Sequence, residues 1–334
     1  MKTASNSLKA GEHWLASPTT RVLAALIIVF VLGLVFNADG AFFKWGIHRD
    51  MLRAVSVYGI LACGMTLVII SGGIDLSVGS ILALTAVCFS LFTIHYQTAV
   101  ILAILVCLVI SSLCGIMSGA IIARFRIQPF ISTLAMMVFA RGLAKWVSGG
   151  QKISTAVQQA DGTYQYVEVP GVFNFINSKL LGDNITVVTV IFLICIVISY
   201  IILTKLRYGR YLYAIGGNEE AARLSGVPII KSKLLAYGLS GLFCGVAGIC
   251  QAAQELQGDP EAGISYELSA IAMVVIGGTS LQGGRGNMWL TLIGVLTIGY
   301  LEKILSINAI GEDKRLMLTG AIIIAAVLLQ KTKK

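Results

Sequence analysis

Ten apolar runs constrain this chain more than any other feature. They fall at about Val22–Phe36, Leu52–Ile70, Leu76–Ile94, Ala99–Ala123, Pro129–Val147, Ile185–Leu203, Leu234–Ala253, Leu268–Leu281, Met288–Ile304 and Leu316–Leu329. A helix needs about 20 apolar residues to cross a hydrocarbon core of roughly 30 Å. In lipid every backbone polar group must be satisfied within the segment, so such runs fold as helices. Composition agrees, with 57% hydrophobic and 12% charged residues and a mean hydropathy of +0.86. Soluble domains carry about 25% charged residues. The expected fold is all-α, a polytopic membrane protein with about ten transmembrane helices. Residues 1–20 read as a polar cytoplasmic tail and 21–330 as one transmembrane domain. The first run has a second reading, a secretory signal with Ala38-x-Gly40 as its cleavage site.

The net charge of +9 does not point to nucleic acid. No basic stripe with interleaved stacking aromatics occurs. The cations instead cluster at the ends of the apolar runs. Fifteen of the 25 Lys and Arg fall in segments that share one side if the N-terminus is inside. These are Lys2, Lys9 and Arg21; Arg124 and Arg126; Lys205, Arg207, Arg210, Arg223, Lys231 and Lys233; Arg285; and Lys331, Lys333 and Lys334. The positive-inside rule then puts both termini and residues 205–231 in the cytoplasm, and the polar loop 148–183 outside. Within that loop Asp161-Gly162-Thr163-Tyr164 signals a turn.

Residues 205–231 are charge-dense yet carry helix signals. Asn218 suits an N-cap, Glu219 and Glu220 follow in the first turn where the helix dipole favours them, and Ala221, Ala222, Arg223 and Leu224 continue. Gly226 and Pro228 end the piece. Two readings stand: an ordinary solvated loop, or a surface helix on which another protein pushes.

Two glycine elbows interrupt apolar runs. Ser71-Gly72-Gly73-Ile74-Asp75-Leu76-Ser77-Val78-Gly79 and Gly277-Gly278-Thr279-Ser280-Leu281-Gln282-Gly283-Gly284 both fit G-G-x-x-L-x-x-G. A glycine pair lets the backbone leave a helix and re-enter. Matching interruptions in two halves suggest a duplicated transport core, with halves at about 52–147 and 185–330. Chance is the competing explanation, because the chain holds 36 Gly.

Ionisable groups in apolar runs are costly and face protein or water. Asp75 either caps the helix that begins at Leu76 or takes part in the pathway. Arg141 either pins two helices together or touches a ligand. Glu302 and Lys303 read as interfacial. His13, His48 and His95 are scattered, so no metal site is expected. The seven cysteines, Cys63, Cys88, Cys107, Cys114, Cys195, Cys244 and Cys250, read as small buried side chains. No G-x-x-x-x-G-K-[ST] loop occurs, so the chain is expected neither to bind nor to hydrolyse ATP itself, and no cofactor is expected.

Four stretches in order, ISGGIDLSVGS, PFISTLAMMVFARGLA, YGRYLYAIGGNEEAARLSGV and ELSAIAMVVIGGTSLQGGRGN, resemble the permease subunits of ribose-type sugar ABC importers. The resemblance covers about residues 52–330. The superfamily also includes branched-chain amino acid permeases, but the GGIDLS form is similar to the sugar branch. The resemblance implies a bacterial inner-membrane subunit. Its partners would be a second permease copy or a homologous permease, ABC ATPase subunits that bind the ATP, an extracytoplasmic solute-binding protein and membrane lipid. It also aligns Gly209–Gly226 with the loop that carries the coupling helix. Gly209, Asn218, Glu219, Glu220, Ala221, Arg223 and Gly226 would then face the ATPase. Gly72, Gly73, Asp75, Ser77, Gly79, Gly277, Gly278, Gly283 and Gly284 would line the pathway. Loop 148–183 is longer and more polar than in many relatives. The alternatives are an ion-coupled secondary transporter, a membrane scaffold, or an ABC permease for a branched-chain amino acid or nucleoside.

Overall fold

Ser17 opens the described part of the chain, and its hydroxyl accepts the Thr20 N–H at 3.1 Å. With Pro18 in the first turn, helix α1 (Pro18–Val35) begins where capping chemistry favours it. The structure, a computed structural model, describes residues 17–158 and 162–330. Lys2, Lys9, His13, Asp161 and the three terminal lysines lie outside the described residues.

After a short 3-10 turn come α2 (Trp45–Ile70), α3 (Val78–Ser90), α4 (Val100–Phe125) and α5 (Pro129–Val147). The loop that follows folds into two small antiparallel ribbons around α6 (Gly171–Asn177). One pairs β1 (Ala156–Gln158) with β2 (Tyr164–Tyr166), Ala156 opposite Tyr166. The other pairs β3 (Lys179–Leu180) with β4 (Ile185–Thr186). Then follow α7 (Val187–Thr204), α8 (Arg207–Gly217), α9 (Glu219–Leu224), α10 (Ile229–Glu255), α11 (Tyr266–Ile276), α12 (Met288–Ile307) and α13 (Glu312–Gln330). The chain is an all-α polytopic membrane protein, with a helix at each of the ten expected positions. Among the described residues seven helices are long and apolar enough to cross a membrane, while α1 and α11 are shorter apolar helices.

The molecule is built around α2 and α10. From Val55 to Ile70 every residue of α2 except Tyr58 is buried. Helix α10 crosses α4 on small residues. A Cβ on Gly115 would strike the Tyr237 carbonyl, and one on Gly241 would strike the Ser111 carbonyl. Such close approach is how helices associate where lipid supplies no hydrophobic drive. The opposite face of α4 carries Ile101, exposed at 75%, with Leu105 and Val109, a surface for lipid. Helix α1 packs on α12 through Val29, Phe42 and Ile304, as a span of the body does. All seven cysteines are buried and free.

Several helices begin before their apolar runs, among them α2 at Trp45 and α10 at Ile229, and two other departures from the sequence boundaries shape the site. The helix expected over Leu268–Leu281 is α11, and its 11 residues reach only about 16 Å at 1.5 Å per residue. It is a half-span, because the chain leaves the helix at Gly277. The helix expected from Leu76 begins at Val78. Residues 71–77 form an irregular connector, so the first elbow does not re-enter at once.

Candidate translocation and coupling site

The two elbows use one backbone device. At the end of α2, Ser71 N–H bonds the Leu67 carbonyl, Gly72 N–H the Ile69 carbonyl and Gly73 N–H the Val68 carbonyl. At the end of α11, Gly277 N–H bonds Met273, Gly278 N–H bonds Val275 and Thr279 N–H bonds Val274. Gly72 (φ +82°) and Gly278 (φ +80°) hold the left-handed position. This is a glycine-terminated cap that satisfies the last carbonyls. Residues 71, 72 and 73 therefore correspond to 277, 278 and 279. The shared glycine motif, which sets Gly72 against Gly277, is one residue out of step. Gly73 and Gly277 are small for another reason: a Cβ would meet the Tyr237 hydroxyl or the Leu290 carbonyl, respectively.

Asp75 is fully buried in the first connector. One carboxylate oxygen accepts from the Ser77 N–H at 3.0 Å and the Ser77 hydroxyl at 2.5 Å. The other accepts from the Ser240 hydroxyl on α10 at 2.8 Å. It does not cap a helix beginning at Leu76; it ties the connector to the central helix. Gly79, in the first turn of α3, packs on Gly263, where a Cβ would strike the Gly263 carbonyl.

Both elbows meet the end of α8. Gly284 N–H donates to the Ile70 carbonyl at 2.9 Å. Gly216 sits against both groups, and a Cβ there would collide with each. Gly283 (φ +84°) lies against Gly72 and Gly216. The Tyr213 hydroxyl donates to the Gly286 carbonyl at 2.8 Å. Three segments far apart in sequence thus converge on one glycine-lined junction, a contact no local signal announces. No sequence motif marks Gly216 or Gly286 as part of it.

Helix α9 follows at once. Asn218 accepts the Ala221 N–H at 2.9 Å, and Gly226 (φ +80°) closes the helix. Glu220 pairs with Arg223 at 3.1 Å and Glu219 with Lys233 at 2.6 Å. Ala221, Arg223 and Leu224 are exposed, Leu224 at 82%. Gly209 stands apart from this group, buried against the Ile202 and Leu203 carbonyls.

On the opposite side Arg141 donates one guanidinium nitrogen to the Pro260 and Ala262 carbonyls, each at 2.7 Å. It pins a loop, 256–265, rather than a second helix. Lys145–Glu261 and Lys152–Asp259 pairs, at 2.8 and 2.9 Å, hold the same loop. The hydrogen bond to Asp259 raises the Lys152 pKa. The hydrogen bond from Lys145 holds the Glu261 carboxyl below its usual range.

Just beneath lies a polar group that the sequence reading did not assemble. The rings of Tyr58 (α2) and Tyr266 (α11) lie 4.2 Å apart at 37°. Gln251 donates to Glu255 at 2.5 Å and reaches the Tyr266 hydroxyl at 3.5 Å. Gln254 donates to the Arg53 carbonyl at 3.1 Å. Tyr58, Gln254 and Tyr266 are part-exposed and Glu255 is exposed. Glu255 is the last residue of α10, beside the polar 256–265 loop, and polar groups on a spanning body face water or protein rather than lipid. Paired aromatic faces beside amide and carboxylate groups can stack on a polyol and bond its hydroxyls. The one signal available was the spacing of Gln251, Gln254 and Glu255, which sets them on one helical face.

The family model for the branched-chain amino acid transport system permease component matches residues 48–327. The chain is 36% identical over 324 residues to the ribose import permease protein of Escherichia coli (strain K12), covering 97% of this chain and 96% of that one. The Bacillus subtilis (strain 168) ribose import permease protein is 39% identical, covering 85% and 84%. The fructose import permease protein of Rhizobium meliloti is 31% identical, covering 96% and 87%. No solved structure matches the chain significantly.

Proposed function

We infer the function from one premise: the chain belongs to the branched-chain amino acid transport system permease family, in its ribose-type sugar branch. It is the membrane-spanning permease subunit of an ATP-binding-cassette sugar importer, not an enzyme. The observation that carries this is the near full-length match to import permeases named for sugars. The substrate is a monosaccharide, pentose or hexose, handed over by an extracytoplasmic binding protein. ATP is hydrolysed by a partner subunit.

Two permease copies enclose the pathway in this reading. The part-exposed Tyr58, Tyr266 and Gln254 and the exposed Glu255 support it, because polar groups on a spanning body face water or protein rather than lipid. Both termini and residues 205–231 face the cytoplasm, as the cation bias favours. Helix α9 seats in the ATPase. Its movement reaches both elbows through Gly216, because packed backbones without side chains between them have little slack. The elbows then tilt α3 and α12, opening the pathway alternately to either side.

The test is uptake into vesicles holding the permease, its ATPase and binding protein, with ATP on the ATPase side and no ion gradient. Radiolabelled ribose, arabinose and fructose are compared. Saturable ATP-dependent uptake of one sugar is expected. Gradient-driven uptake without ATP would instead make this a secondary transporter.

A further inference from the structure

A cleft of about 600 Å³ opens beside α9, between the α4–α5 corner and the start of α10. Arg124, Arg126, Arg223 and Lys231 line it, and Glu219 is its one carboxylate. Glu219 is already held by Lys233 at 2.6 Å, and Arg223 by Glu220 at 3.1 Å. Arg124, Arg126 and Lys231 have no carboxylate within ion-pair distance among the described residues. The cleft therefore carries uncompensated positive charge. Val227, Pro228 and Ile229 add an apolar lining.

The surroundings decide what kind of anion fits. Phe125 (70% exposed), Phe130 (53%) and Ile230 (49%) flank the cations. Large exposed apolar side chains at the ends of spanning helices belong at the hydrocarbon edge. The cleft thus sits at headgroup level with an apolar border. A soluble phosphate would satisfy the cations and leave that border unused. A phospholipid satisfies both.

We propose that this cleft binds the headgroup of an anionic phospholipid from the leaflet that faces the ATPase, with its acyl chains on Phe125, Phe130 and Ile230. Basic pockets between spanning helices on the cytoplasmic side have the chemistry for such headgroups. The lipid then braces the short α9 helix against the membrane.

The test is native mass spectrometry of the delipidated full-length chain, titrated with phosphatidylglycerol or with phosphatidylcholine of the same acyl chains. One phosphatidylglycerol should be retained in clear preference to phosphatidylcholine. The preference should fall on the order of a hundredfold in R124Q/R126Q/K231Q, as expected for three cations beside an anion. It should survive in R124K/R126K/K231R. The single variants R126Q and K231Q should each show part of the loss, which covers a triple variant that fails to fold. Equal retention of both lipids by the unaltered chain would overturn the proposal, whatever the variants do. Complete displacement of phosphatidylglycerol by inorganic phosphate or glycerol phosphate would also overturn it, marking a free-anion site. So would a triple variant that keeps its lipid preference but no longer holds the ATPase, because the cations would then be a protein-docking surface.

Discussion

Asp75 shows how a single buried carboxylate can hold a connector. Its three acceptances, two from Ser77 and one from Ser240, leave both serines satisfied in a buried site. Asp75→Ala strands those donors, at about 1–3 kcal/mol per unsatisfied group. Asp75→Asn keeps one acceptor oxygen. The alanine variant should therefore melt several degrees below the asparagine variant in a thermal unfolding assay of detergent-solubilised protein. A sharper contrast separates two adjacent glycines. A Cβ at Gly216 collides with the Ile70 carbonyl and the Gly284 nitrogen, while at Gly217 it meets nothing within 4 Å. Overpacking against backbone costs about 1–3 kcal/mol. Gly216→Ala should impair coupled transport and Gly217→Ala should not, as measured by ATP-driven uptake in vesicles. Equal behaviour of the two would remove the junction from the mechanism. At the outer polar group, Tyr266→Ala loses a stacked ring worth about 0.5–1.5 kcal/mol. The sugar concentration for half-maximal uptake should rise roughly three- to tenfold, with Tyr266→Phe much closer to the unaltered chain.

At the scale of elements, α9 is short, well capped and largely exposed. Asn218 and Gly226 secure its two ends, so six helical residues stand without much support from the body. An isolated helix of this length is not stable in water, so its caps and its neighbours hold it in place. Leu224 is its most exposed large side chain. Burying a leucine in a partner's cleft contributes about 1.5–3 kcal/mol. Leu224→Asp should leave the permease in the membrane yet abolish co-purification with the ATPase. Glu219→Lys should be only partly impaired, since the Glu219–Lys233 pair is open to water at its glutamate end, which screens it. Normal ATPase retention by Leu224→Asp would remove α9 from the contact. The caps of α9 were legible in sequence because each depends on residues within four positions. The role of Gly209 was not. Its partners are the carbonyls that end α7, and the same letter in the sequence could equally have marked an exposed turn.

For the whole molecule, the cation distribution sets the expected sidedness. Residue 219 should be reachable only from the cytoplasm, with both termini on that side. The native cysteines are all buried, so a background with conservative cysteine replacements should fold, and Glu219→Cys in it can be labelled. An impermeant thiol reagent should react in inside-out vesicles and not in intact cells. Labelling from outside would invert the topology, and the lipid cleft and the ATPase contact would move with it.

The class of fold followed from the sequence alone because hydrophobic length is a local quantity. Each of the ten runs declares its helix through its own residues, because a single continuous apolar run can satisfy its own backbone in lipid only as a helix. The Asn218 and Gly226 caps and the positive-inside bias are local in the same sense. Tertiary structure alone decided which faces meet. Helix α3 is apolar and buried on every side, so no periodic pattern in it could report a face. The elbows looked alike in sequence, but their backbone equivalence is shifted by one residue, because hydrogen bonding rather than glycine spacing defines the cap. Gly72, Gly216 and Gly284 meet because three distant segments pack together, and a glycine in sequence says only that space is scarce or φ is unusual. Nothing local marked Tyr58 and Tyr266 for the same reason: whether two tyrosine rings meet depends on what the rest of the chain places opposite each.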